Sequence, residues 1–115
     1  MDKEAGVLIM FYFIVNPKAR SAQGGMLWDK ASEILTARNV EYEAYFTEYP
    51  GHATELARQI SLLSIPCTLV VVGGDGTLNE VINGLAEKDF SHITLGYIPT
   101  GSGNDFARGL GLATD

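Results

Sequence analysis

Five residues, Gly73-Gly74-Asp75-Gly76-Thr77, stand between an apolar run, Thr68 to Val72, and a stretch with helical spacing. That order admits few folds. The run reads as a buried strand, the glycines as a turn, and the residues beyond them as the start of a helix. Glycine takes positive φ without steric penalty and lets the backbone approach a bulky group closely. The free N–H groups of the following helix point into such a turn, and the helix dipole favours an anion there. A carboxylate, Asp75, inside an anion site calls for a bridging cation or a role in ordering the loop. The segment therefore suggests a nucleotide phosphate held with Mg²⁺.

The rest of the chain repeats the strand–helix alternation. Strands are expected at about Val7–Val15, Val40–Thr47, Thr68–Val72 and Ile93–Ile98. Helices are expected at about Met26–Arg38, Ala53–Leu63, Leu78–Glu87 and Asp105–Leu110. Their apolar faces are Leu27, Ala31, Ile34 and Leu35; Leu56, Ile60 and Leu63; and Leu78, Val81, Ile82 and Leu85. Such alternation predicts an α/β domain with a mainly parallel sheet, helices on both faces and right-handed crossovers. A chain of 115 residues suffices for one such domain. Val7–Val15 is an unbroken apolar run, far too short to span a membrane, and it suits a parallel strand buried on both faces. It ends in Asn16-Pro17-Lys18-Ala19-Arg20 with no signal-peptidase site, so the chain reads as cytoplasmic.

Charge and residue chemistry narrow the function. A net charge of −6 argues against a broad basic face, so no nucleic-acid partner is expected. A bound phosphate must be met by local groups: Lys18, Arg20, Arg108 and backbone N–H. Cys67 is the single cysteine, which rules out an internal disulfide; after Pro66 it reads as a small, partly buried strand residue. His52, near the start of the second helix, reads as a surface residue, and His92 has no partner motif. One cysteine and two separated histidines make no zinc-type cluster. There is no G-x-S-x-G elbow or Cys/His nucleophile pair. Trp28 reads as packing.

Ligands of open parallel sheets bind beyond the carboxyl ends of the strands. The unusual segments all map there. Asn16-Pro17-Lys18-Ala19-Arg20 follows the first strand, Thr47 ends the second, Gly73–Thr77 follows the third, and Pro99-Thr100-Gly101-Ser102-Gly103-Asn104-Asp105 follows the fourth. Each also has a purely structural reading. Thr77-Leu78-Asn79-Glu80 fits a capping box, with Thr77 as N-cap answered by Glu80. Gly101 and Gly103 free the backbone and Asn104 can cap a helix, yet Asp105 is not needed for that. For Lys18 and Arg20, phosphate contact and solvated surface charge stand as equal readings.

These segments together resemble the catalytic domain of the diacylglycerol kinase family, which includes bacterial lipid kinases and the related sphingosine and ceramide kinases. The resemblance rests on Asn16-Pro17, on Gly73-Gly74-Asp75-Gly76-Thr77 with Leu78-Asn79-Glu80, and on Pro99-Thr100-Gly101-Ser102-Gly103-Asn104-Asp105-Phe106-Ala107-Arg108. The first glycine element is shared with NAD kinases and phosphofructokinases; the combination is far more specific. Thr47-Glu48-Tyr49-Pro50-Gly51-His52-Ala53-Thr54 looks like this family's second nucleotide loop.

The resemblance implies the N-terminal domain of the NAD kinase/diacylglycerol kinase fold and transfer of the ATP γ-phosphoryl to a lipid hydroxyl, diacylglycerol first among acceptors. It implies an ATP site lined by Asn16, Pro17, Lys18, Ala19, Arg20, Thr47, Gly73, Gly74, Asp75, Gly76, Thr77, Leu78, Asn79, Glu80, Thr100, Gly101, Ser102, Gly103 and Asn104. Asp75 would act at the phosphate and hold Mg²⁺, with Asp105 close by. It also implies peripheral contact with the inner membrane surface, and it leaves room for a homo-oligomer. Two departures stand out. The family often has Ser-Gly or Ala-Gly two residues after Asn-Pro, where this chain has Ala19-Arg20 and no glycine before Gly24-Gly25. Such kinases also carry a second, β-rich domain over the cleft, so the chain is expected to be the nucleotide-binding domain alone. An NAD kinase-like enzyme and a non-catalytic nucleotide-binding module are the alternatives.

Overall fold

A computed structural model describes residues 10–87 and 89–100. The expected start of the first strand at Val7, the helix at Asp105–Leu110, and the residues Gly101, Ser102, Gly103, Asn104, Asp105 and Arg108 lie outside them.

Among the described residues four parallel strands form one sheet: β1 (Met10–Val15), β2 (Tyr42–Phe46), β3 (Cys67–Gly73) and β4 (Ile93–Pro99), in the order β2-β1-β3-β4. The hydrophobic pattern follows that order. Central strands are covered on both faces, so β1 ends in four buried residues, Tyr12 to Val15, and β3 buries Leu69 to Gly73. The edge strands β2 and β4 are largely half-exposed, and their solvent-facing positions are Glu43 and Phe46 on β2 and Thr94 and Leu95 on β4. Parallel strands need crossovers, supplied by α1 (Ala19–Ala37), α2 (His52–Ser61) and α3 (Asp75–Ala86).

The helices divide between the two faces. On one, α1 packs Leu27, Trp28, Ala31 and Leu35 onto Phe13, Val15, Val70, Val72 and Ile98. Trp28 meets Phe13 with ring centroids 5.0 Å apart and Tyr42 edge-on at 5.5 Å, which makes it the packing residue its sequence position suggests. On the other face, Ala53, Ala57 and Ile60 of α2 and Val81 and Leu85 of α3 cover Tyr12, Ile14, Leu69 and Val71. Cys67 is buried there as a free thiol, and burial pushes its ionisation up.

Three local expectations change. Ile82 is 43% exposed and Leu63, beyond the end of α2, is 49% exposed. The two helices meet instead at Gly84, where a Cβ would lie 2.4 Å from the Thr54 carbonyl oxygen; so close a contact turns Ile82 outward. Helix α3 starts at Asp75 with Gly74 as N-cap, so Thr77 lies inside the first turn and no capping box forms. Helix α1 contains a kink: Arg20, Ser21 and Ala22 have positive φ (49°, 54° and 75°), and regular helix follows from there.

Candidate functional site

Strand order places β1 beside β3, with α1 leaving β1 over one face and α3 leaving β3 over the other. This divergence is the switch point at which open parallel sheets leave a crevice. The floor continues the sheet. Beyond the strands the backbone N–H of Asn16 donates to Val72 (2.8 Å), that of Thr47 to Val15 (2.8 Å) and that of Thr100 to Gly73 (2.9 Å). The first, second and third loops thus lie side by side, and Thr100 opens the fourth beside them.

A cleft of about 590 Å³ opens over this floor, lined by Asn16, Lys18, Ala19, Arg20, Thr47, Glu48, Tyr49, Pro50, Gly74, Gly76, Thr77 and Glu80. The Asn16 side chain ties its two main loops together. Its Nδ2 donates to Thr77 Oγ1 at 3.1 Å, while its Oδ1 accepts the Lys18 backbone N–H at 3.1 Å. Gly73 leaves room for this arrangement, since a Cβ there would sit 3.0 Å from Thr77 Oγ1. The first intrahelical bond of α3 runs from Leu78 N–H to Gly74. The N–H groups of Gly76 and Thr77 precede it and are free of helix partners at the cleft wall.

Glu80 joins α3 to the loop after β2. Its Oε2 accepts the Gly51 N–H at 3.1 Å, and its backbone carbonyl accepts the Thr54 hydroxyl at 2.8 Å. Gly51 sits at φ 89°, a conformation that favours glycine. Thr47 to Pro50 are therefore held as one wall of the cleft.

The remaining expected residues among those described do not line the cleft. Leu78 packs against the α2–α3 core, and Asn79 is exposed. Pro17 supports α1 by accepting the Gly25 N–H at 3.1 Å. Asp75 holds an exposed carboxylate in the first turn of α3, where its Oδ1 accepts the Tyr97 hydroxyl at 3.0 Å. Burial, with this bond adding to it, pushes the Tyr97 hydroxyl up. Glu48, Tyr49 and Pro50 join the lining although only their segment had drawn notice. Tyr97 was also missed; the alternation Ile93, Leu95, Tyr97, which turns it to the α3 face, was the available signal. His52 is half-buried at the start of α2, with its Nδ1 accepting the Glu48 N–H at 2.9 Å.

An open parallel sheet with crossover helices on both faces and a cleft at its switch point defines a Rossmann-like α/β domain. Within that class the chain belongs to the diacylglycerol kinase catalytic domain family, which it matches over residues 10–115. A diacylglycerol kinase of Staphylococcus saprophyticus is 53% identical over 81 residues, covering 70% of this chain and 26% of that protein. Sphingoid long chain base kinase 5 of Saccharomyces cerevisiae is 37% identical over 99 residues, covering 81% of this chain and 14% of that one. The crystal structure of a diacylglycerol kinase from Bacillus anthracis aligns with a TM-score of 0.65 at 31% identity, covering 92% of this chain and 38% of the other. A de novo designed Rossmann protein, TM-score 0.52 at 15% identity, shares the fold alone. The chain spans about a third or less of the length of the curated relatives it matches. No helix among the described residues is long and apolar enough to cross a membrane.

Proposed function

We propose that this chain is the nucleotide-binding part of a lipid kinase that transfers the γ-phosphoryl of ATP to a lipid hydroxyl, with diacylglycerol the leading acceptor. The observation that carries the reading is the Asn16–Thr77 bond, which joins the loops after β1 and β3 into one cleft edged by Lys18, Arg20 and the free amides of α3. Cations and oriented N–H groups are what a polyphosphate needs from a protein of negative net charge. The chain's own work is binding and orientation, because phosphoryl transfer is catalysed largely by positioning and charge stabilisation. The acceptor oxygen–phosphorus bond forms as the bond to ADP breaks, and the hydroxyl proton passes to a base that we assign to the rest of a longer enzyme.

Mg²⁺ suits this donor set. Among the described residues no three carboxylate, histidine or cysteine groups cluster, and Mg²⁺ is commonly held by one or two carboxylates together with substrate phosphates. Asp75 would be the protein ligand: it is exposed at the amino end of α3, and Tyr97 fixes one of its oxygens. Bound there, Mg²⁺ supplies charge neutralisation. Asp105 is proposed to lie close by, and the enzyme to work peripherally at the inner membrane surface.

Titration of the purified chain with ATP, with and without Mg²⁺, tests the reading through amide chemical shifts. Shifts concentrated at Thr47 and Gly73–Thr77 are expected; a folded sample without them overturns it. The 115-residue chain should transfer little phosphoryl to lipid, and robust turnover by it would refute the assignment of the base elsewhere. In the full-length enzyme Asp75→Asn should abolish activity with the thermal transition unchanged, since an amide oxygen still accepts the Tyr97 hydroxyl. Near-normal turnover would remove Asp75 from the mechanism.

A further inference from the structure

Asp75 is the residue of its segment best suited by type to cap α3. An aspartate at an N-cap turns its carboxylate onto the backbone N–H two residues on, here that of Thr77. The structure does otherwise. Gly74 is the N-cap and supplies no side-chain bond, while Asp75 stands one position inside the helix. Its Oδ1 accepts the Tyr97 hydroxyl at 3.0 Å, a bond between residues 22 apart in sequence. Tyr97 is itself firmly placed. It is half-buried near the carboxyl end of β4, lies in register with fully buried Val71, and packs against the core cluster beneath α2 and α3. The cleft lining includes Gly74, Gly76 and Thr77 but not Asp75.

We infer that Tyr97 is a positioning residue, which holds the Asp75 carboxylate off the first-turn amides of α3 and so leaves them to the phosphates of a nucleotide. This rests on the nucleotide reading of the cleft and deepens it by naming what keeps the anion site open. A carboxylate released from Tyr97 would cap its own helix through the Thr77 N–H and set a negative charge where a phosphate must come. The Tyr97 ring is already ordered by the core, so its hydroxyl loses little freedom in holding the carboxylate.

Calorimetric titration of the full chain with ATP in the absence of Mg²⁺ separates this effect from metal binding. Tyr97→Phe, which keeps the ring in the core, should weaken metal-free ATP binding by about 2- to 30-fold, because the ligand must displace a cap of ordinary strength. In the ligand-free variant the Thr77 amide resonance should move to lower field. Both changes should vanish when Tyr97→Phe is combined with Asp75→Ala, which leaves no carboxylate to swing inward; loss of a merely structural tyrosine would not be rescued in this way. Unaltered ATP affinity or an unmoved Thr77 amide in Tyr97→Phe overturns the inference, as does weakening that persists in the double variant relative to Asp75→Ala alone. If the native chain binds ATP only with Mg²⁺, the amides do not hold the phosphates unaided, and the inference falls while the nucleotide reading stands. If it binds ATP under neither condition, both fall together.

Discussion

Gly24 shows how one missing methyl group shapes the site. It lies inside α1, where alanine is favoured over glycine by about 1 kcal/mol. A Cβ there, however, would sit 1.9 Å from the Asn16 carbonyl oxygen. That carbonyl cannot retreat easily, because it accepts the Ala19 N–H while the Asn16 N–H is bound to Val72. Overpacking against fixed backbone costs about 1–3 kcal/mol, so the clash outweighs the helix preference. Gly24→Ala should therefore lower stability by about 1–2 kcal/mol in urea unfolding and shift the Asn16 amide resonance. An unchanged midpoint would show that the loop yields. Sequence alone put the glycines of the first loop at Gly24-Gly25 and placed Arg20 where the family often has glycine. It did not show that Arg20, Ser21 and Ala22 all take left-handed conformations, since no local pattern announces positive φ in such residues.

Among the elements, α3 departs most from its local signals. Thr77-Leu78-Asn79-Glu80 has the residues of a capping box, yet both ends of that box are used elsewhere: the Thr77 hydroxyl by Asn16 and the Glu80 carboxylate by Gly51. Tertiary partners have displaced a local one, and the helix starts earlier, at Asp75. Glu80→Ala should cost about 1–2 kcal/mol for the lost charge-assisted bond, and the amides of Thr47–Gly51 should broaden. Glu80→Gln, which keeps an acceptor oxygen, should restore most of both. Edge strand β2 yields a pH prediction. The Tyr45 hydroxyl is pushed up to about 12, first by its hydrogen bond to the Glu43 carboxylate and then by burial. The folded state therefore favours the neutral phenol. Its stabilising contribution is complete below pH 10 and is lost as pH rises through about 12. Tyr45→Phe should flatten the fall in thermal stability over that alkaline window; an identical fall would assign it to other groups.

At the scale of the molecule, the described residues form one sheet with two hydrophobic clusters, and β1 and β3 contribute to both. The faces should therefore unfold together. Trp28 reports on the α1 face and Cys67 on the other, and each is the single residue of its kind. Trp28 fluorescence and Cys67 thiol labelling should share one denaturant midpoint; separated midpoints would mean that the faces are independent. The α/β class, the parallel sheet and the gathering of loops at one edge were all legible in the sequence, because each strand's apolar pattern and each following glycine loop is a local signal. Strand order was not legible, since the pairing of β1 with β3 is decided by which crossover passes over which face. Nor were the walls formed by Glu48, Tyr49 and Pro50, whose positions depend on Glu80 of a distant helix. The hydrogen bonds by which Asn16, Thr47 and Thr100 extend the sheet into the loops have a kinetic consequence. Their amides should exchange with solvent only when the sheet itself opens, as slowly as those of buried strands. The floor thus keeps time with the core, while the rim above it keeps the faster clock of the surface.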